Sequence, residues 1–576
     1  MKFKTNRIVA FAFLSSLAIA VAPLSLLQPY IRSNAAFPLD FGFLQIALGL
    51  TSILILIQLL LIPFEQSHWS EPDFLLLNIL VVSLAVHSSC ALVQFWKAVT
   101  LRIPETYTEQ GIYLAAIREG GIASLYSRSN ITIAPFLTTV YPTVYYILTR
   151  GLFKIFGESP TVPRALSISA VLVMFLTLIW VLSSNCRRLH VLIAGLFFLS
   201  LFPTMCWVGG SIGKSDHVAA AFSLAALSIY VRKGLWSKKY GWIWIAASLG
   251  AFAGLTKQTV IFGALAIATH LLLRHQLKQF FIFAVVMLLW PLVSFGLLWN
   301  RTDGGIWLMT VTANAARLIP AKILQFGVFG FLFSGFTVMV LAACAYPSKG
   351  RETLQSQRNV VRIYFLFALS AFLVAVGRPG ASYHYFLESL AAGALVIGFT
   401  LEQFRCMESR VAWRSLVILL VTVSVSQLFS QFAITARAAE EKTEQQRVMQ
   451  NIAKLNTGDG HYILSTPYYV FSVIEAGKKP LVIDSSQFTL MIDNGVVSAE
   501  PLLQYLRAGA VPYVILEHTF DRYQTSAYGS RLFPQSVVAY LQTHYSCKTL
   551  FHKRVDSRDF VLCAPIQEHG AINPED

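Results

Sequence analysis

One long and three short polar segments interrupt an otherwise apolar chain, and they hold the side chains that could do chemistry. Glu109 lies in a long polar stretch between Pro104 and Pro160. Lys214 and Asp216 sit in GGSIGKSDH, Lys257 and Gln258 in GLTKQT, and Arg378, His384 and Glu388 in GRPGASYHYFLES. Carboxylates of this kind can take protons, and cations beside them can hold an anion such as a phosphate. Charged groups at membrane depth are costly and are kept mainly for function or pairing. Each also has a plainer reading. Glu109 as a solvated loop carboxylate, Lys214 with Asp216 as a local ion pair at a helix start, and Lys257 as a snorkelling cation all fit the sequence. So do Arg378 as a loop cation and a mutual hydrogen bond between His384 and Glu388, one helical turn apart.

The elements that must position these groups are membrane spans. The chain has 576 residues, 55% of them hydrophobic and only 13% charged. Its mean hydropathy is +0.60. That balance excludes an ordinary soluble protein and places most of the chain in lipid. The net charge of +16 then reads as cations gathered in cytoplasmic loops, and a nucleic-acid partner is not expected. Apolar runs fall near 8–27, 41–64, 74–96, 165–184, 189–208, 217–231, 241–256, 259–273, 280–299, 322–345, 361–376, 385–402 and 413–433. They predict a mostly α membrane protein of about 13 transmembrane helices.

Lysine and arginine in the short loops set the orientation. With the N-terminus in the cytoplasm, the inside loops hold Arg187 and Arg188, Arg232 to Lys239, Arg274 with Lys278, Lys349 to Arg362, and Arg405 to Arg414, the acidic loop at Glu65–Asp73 being the exception. All four polar clusters then fall outside. Residues 1–73 read as an N-terminal pair of spans, 74–436 as the transmembrane core with a large outer loop at 97–164, and 437–576 as a small extracytoplasmic α/β domain. The last assignment rests on short β-rich runs (HYILST, KPLVID, PYVILEH, CKTLF, DFVLCA) alternating with helix-like stretches. Of seven cysteines, Cys547 and Cys563 alone lie in that domain, on runs that could pair as a hairpin, so they are expected to form a disulfide. There is no CxxC and no cysteine/histidine cluster, so a structural zinc site is not expected.

In this order the clusters resemble the motifs of the polytopic GT-C glycosyltransferases, which include protein O-mannosyltransferases and the aminoarabinose transferase of lipid A. EQGIYLAAIREGGIASLY is similar to the start of that group's first outer loop, and YPTVYYILTRGLFKIFGESPTVPRALS to its continuation. GKSDHVAAAFSLAAL, LTKQTVI and PGASYHYFLESLAA resemble the group's later motifs, and YILSTPYYVFSVIEAGKKPLVID the tail after the spans. The likeness covers most of residues 74–565. The sequence departs where Gln110 replaces the second of two paired acids, Thr143 a second proline, Lys214 an arginine and His384 an asparagine.

The resemblance implies an inner-membrane, multi-pass enzyme. It would move a sugar from a polyprenyl-phosphate donor to an envelope glycan, lipid or protein acceptor on the outer face. In that role Glu109 is the base and Asp216 a second, orienting carboxylate. Lys214, Lys257 and Arg378 face the donor phosphate, and Tyr141, Tyr383, His384 and Glu388 line the substrate. No metal ligands are implied, and the missing second acid leaves a divalent cation open. Other readings of the same chain are a secondary transporter, which should show repeated halves, and a non-catalytic polysaccharide-assembly protein.

Overall fold

The computed structural model describes residues 71–100, 107–203, 213–235, 240–315, 318–324, 327, 335–346, 352–378, 381, 383–406, 411–423, 446–520, 532–552 and 559–566. The apolar runs at 8–27 and 41–64 lie outside them. The chain forms two compact units: Met1–Leu101 with Arg164–Leu292 and Leu318–Ala436, and Arg102–Pro163 with Val293–Arg317 and Arg437–Asp576.

The first unit is helical. Its helices include α1 (Glu71–Thr100), α2 (Thr161–Leu182), α3 (Arg188–Phe202), α4 (Ser215–Ile229), α5 (Gly241–Thr256), α6 (Phe262–Leu273), α7 (Leu277–Trp299, whose last turns belong to the second unit), α8 (Gly335–Ala345), α9 (Glu352–Ala375), α10 (Leu387–Cys406) and a further helix at Val411–Val423. Five of the described helices are long and apolar enough to cross a membrane, and five shorter apolar ones accompany them. The chain is therefore a multi-pass membrane protein. Helices suit that setting because they satisfy their own backbone hydrogen bonds where lipid offers none. Helix α4, predicted as a short span, is extended by a π-helical stretch, Tyr230–Gly234.

Helix α10 is the centre of the bundle and packs against α3, α4, α8 and α9. Glycines allow these close approaches. A Cβ at Gly393 would lie 2.4 Å from the Phe336 ring, and one at Gly398 2.7 Å from Leu182. Small residues at such positions let membrane helices pack closely where lipid removes the hydrophobic driving force. Helix α7 is the opposite case. Phe281 is 63% exposed and Leu292 69%, an apolar surface that water would not tolerate and lipid would.

The second unit holds the mixed sheet. Strands β1 (Ile463–Ser465), β2 (Tyr513–Leu516), β3 (Tyr545–His552) and β4 (Asp559–Pro565) lie in the order β1-β2-β4-β3. β1 and β2 are parallel, and the other pairs antiparallel. Val448, Ile452, Ile463, Tyr469, Val473, Ile515 and Phe560 form its core. KPLVID forms no strand. It makes isolated parallel bridges, one of them to the outer loop at Phe136. Phe136 N–H donates to Leu481 O at 2.8 Å, Ile483 N–H returns to Phe136 O at 2.9 Å, and the Phe136 ring packs 5.0 Å from that of Phe488. The outer loop, which the sequence groups with the spans, is thus compact with the C-terminal domain. A lone phenylalanine in a loop has no apolar partner, and this edge supplies one.

Cys547 and Cys563 face each other across β3 and β4 and are disulfide-bonded, 16 residues apart in sequence. A bridge closing a loop of that length stabilises by about 3 kcal/mol on the chain-entropy account. Cys547→Ser with Cys563→Ser should lower the unfolding free energy of the second unit by about that amount. An unchanged unfolding midpoint would show that the bridge adds nothing.

Candidate functional site

In the helical unit the sequence brings three polar clusters to one end of the bundle. Lys214 is extended (φ −127°, ψ 154°), and α4 begins at the next residue with Asp216 in its first turn, where a helix favours negative charge. Lys257 follows the last turn of α5. Its Nζ donates to Asp216 Oδ1 and lies 4.0 Å from the centroid of the Tyr385 ring. His384, in the 3₁₀ turn Tyr383–Phe386 ahead of α10, places Nε2 3.6 Å from the same Asp216 oxygen. The His384 and Tyr385 rings lie 4.6 Å apart. Ser167 Oγ donates to the Lys214 carbonyl at 3.0 Å. Lys214, Asp216, Lys257 and His384 are all buried.

Two plain readings of the sequence are thereby replaced. Asp216 pairs with Lys257, not with Lys214, because the extended backbone at Lys214 precedes the helix that carries Asp216. Lys257 does not snorkel, being only 2% exposed. A buried carboxylate beside an ammonium stays ionised when its geometry is good. Asp216 Oδ2 and His384 Nδ1 are buried without a hydrogen-bond partner. Both are positions where a ligand hydroxyl would find a hydrogen-bond partner, with the Asp216 oxygen as acceptor.

Glu388 does not join this cluster and does not bond His384. It turns inward, where Oε1 accepts from Ser223 Oγ at 2.6 Å and Tyr364 OH at 3.1 Å. Arg378 is half-buried. Its carbonyl and that of Ala381 accept from Lys322 Nζ at 2.8 and 2.9 Å, so Lys322 pins the loop that carries Arg378. At the other end of α10, Glu402 accepts from Arg187 N–H at 2.8 Å and meets His190 Nδ1 at 3.0 Å.

In the second unit, Glu109 lies in the first turn of a helix at Tyr107–Ile117 and is fully buried. Its neighbour explains one departure from the resembled motif. Gln110 Nε2 donates to Tyr468 O at 3.3 Å, and its Oε1 accepts from Phe471 N–H at 3.1 Å, holding the start of helix Val470–Glu475. A carboxylate can accept but not donate, so a second acid could not make both bonds. Arg150 closes the other end of the Glu109 helix. It donates to the carbonyls of Ala116 at 3.0 Å, Gly120 at 2.5 Å and Arg118 at 2.6 Å. Tyr141 is half-buried, and its carbonyl accepts from Tyr126 OH at 2.8 Å.

Tyr385, Ser223, Tyr364, Lys322 and Arg150 were not singled out by sequence reasoning. Only Tyr385 carried a signal, its place beside His384 in YHYFLES. Among the described residues no group of three or more His, Cys, Asp or Glu could hold a metal ion.

A multi-pass helical unit with charged side chains gathered at one bundle end, in a chain that also carries a mixed-sheet unit, matches known membrane proteins in fold. ArnT from Cupriavidus metallidurans in the apo state is similar at a TM-score of 0.51 and 13% identity, over 83% of this chain and 97% of that one. The same protein bound to undecaprenyl phosphate is similar at 0.52, with the same identity and coverage. The fold is therefore of the GT-C type that the sequence motifs resemble. No family model and no curated protein matches the sequence.

Proposed function

We propose that the chain is an integral-membrane glycosyltransferase that moves a sugar from a polyprenyl-phosphate donor to an envelope glycan, lipid or protein acceptor. The observation that carries this reading is the buried cluster of Asp216, Lys257, His384 and Lys214 at one end of the helical unit. Such a cluster is expensive in a membrane bundle unless it binds something charged or polar. The fold shared with a protein seen bound to undecaprenyl phosphate supports a lipid-phosphate donor.

In this reading Glu109 takes the proton of the acceptor hydroxyl as its oxygen bonds to the anomeric carbon. The bond from that carbon to the phosphate oxygen breaks, and the electron pair leaves with the phosphate. Lys214 and Arg378 meet the developing negative charge. Lys257, its charge shared with Asp216, contributes to the same field, and Asp216 Oδ2 accepts from a sugar hydroxyl. Tyr141, Tyr383 and His384 line the sugar. The proposed orientation rests on a charge asymmetry: by the order of the helices, Asp216, Lys257 and His384 fall at the bundle end opposite the one where Arg187, Arg232 and Arg274 flank their helices. That asymmetry supports a cytoplasmic N-terminus and an outer site.

Mass spectrometry of envelope glycans and lipids, with and without the intact protein, tests the function. One glycosyl substituent should disappear with the protein, and unchanged profiles would overturn the reading. Reporter fusions after Lys238 and after Arg437 should read opposite compartments. The same compartment for both would refute the orientation.

A further inference from the structure

Glu388 is a buried carboxylate that the mechanism does not use. Glu388 sits in the first turn of α10 and is 4% exposed. Its Oε1 takes two hydroxyl donors from two other helices, Ser223 of α4 and Tyr364 of α9. Ser223 Oγ in turn accepts from Gly263 N–H in the first turn of α6, at 3.1 Å. One oxygen thus ties together four helices. The contact with α6 is a close one: a Cβ at residue 263 would lie 2.5 Å from Ser223 O and 2.7 Å from Ser223 Oγ. Only glycine admits that approach.

The helices so joined are those that carry the charged cluster. Ser223 lies two turns along α4 from Asp216, on the same face. Gly263 opens the helix that follows the Lys257 turn. Glu388 comes one turn after His384. We propose that Glu388 is a positioning residue, whose bonds to Ser223 and Tyr364 hold Asp216, Lys257 and His384 in register. Interhelical hydrogen bonds of this kind hold the packing of helices in a membrane bundle. A misplacement of about 1 Å at a reacting group can cost 100-fold. The proposal rests on reading that cluster as part of a lipid-phosphate site.

The test uses the full chain in nanodiscs, with undecaprenyl phosphate as the probe in native mass spectrometry and thermal unfolding alongside. Glu388→Leu should weaken undecaprenyl phosphate binding about 10- to 100-fold. Glu388→Gln keeps an acceptor oxygen for both hydroxyls and should bind within about twofold of the parent, given that equivalence of acceptors. Ser223→Ala and Tyr364→Phe each remove one bond and should give intermediate losses, which covers the case in which Glu388→Leu does not insert. A loss in Glu388→Gln as large as in Glu388→Leu would mean direct ligand contact and overturn the proposal. Parent-like binding by all four, with only lower melting temperatures, would show a purely structural role and overturn it equally. If the parent binds no undecaprenyl phosphate, the lipid-phosphate reading fails by itself. The brace is then judged by the thermal coupling of Asp216→Asn with Lys257→Met. That coupling should be lost in the Glu388→Leu background, and its full retention would overturn the proposal.

Discussion

Glu109→Gln is expected to lower sugar transfer by roughly two to four orders of magnitude while the protein still folds and inserts. The substitution keeps the shape of a fully buried side chain and removes only its capacity to take a proton. Its neighbourhood favours it over Glu119, which is exposed and so behaves as a solvated carboxylate. Glu105 lies outside the described residues. The measurement is turnover of the purified variant, with its melting temperature as the control for folding. Near-normal transfer would remove Glu109 from the role of base. An inactive Asp216→Asn beside it would move that role to Asp216.

The second large effect concerns the Asp216–Lys257 pair. Removing one partner of a buried ion pair leaves the other charge without compensation, at a cost of about 3–5 kcal/mol. Lys257→Met should therefore destabilise the helical unit by about that amount, as should Asp216→Asn to a smaller extent, because the amide still accepts from the ammonium. The double variant should lose clearly less than the sum, since neither charge is then stranded. Unfolding in a fixed lipid composition measures all three. Strict additivity would mean that the two side chains do not act on each other. Because Lys257 also lies over the Tyr385 ring, Tyr385→Leu should weaken the coupling without abolishing it.

Much of this was legible in the sequence because membrane spans are written in local composition. A run of apolar residues long enough to cross lipid has few alternatives, and GWIWIAASLGAFAGLT forms helix Gly241–Thr256 as its run predicts. Charged residues bordering such runs are conspicuous for the same reason, so Asp216, Lys257, His384 and Glu388 could be named from sequence. β3 and β4 were legible as runs that pair around two cysteines.

Partnership was not legible, because side-chain partners depend on which helices pack and at what height. Near neighbours in sequence suggested Lys214 with Asp216 and His384 with Glu388. Tertiary structure chose instead Lys257, 41 residues from Asp216, and Ser223, 165 residues from Glu388. His384 lies in a 3₁₀ turn and Lys214 in extended backbone, so neither shares a helical face with its neighbour. The placement of the outer loop was likewise decided in three dimensions. Its composition reads as a polar connection between spans, but Phe136 finds its hydrogen bonds at Leu481 and Ile483 and its ring partner at Phe488. The sequence by itself determined the spans and the kinds of charged group at their ends. The tertiary structure decided which charges meet, because burial makes an unpaired charge costly and only packed helices can bring its partner within reach.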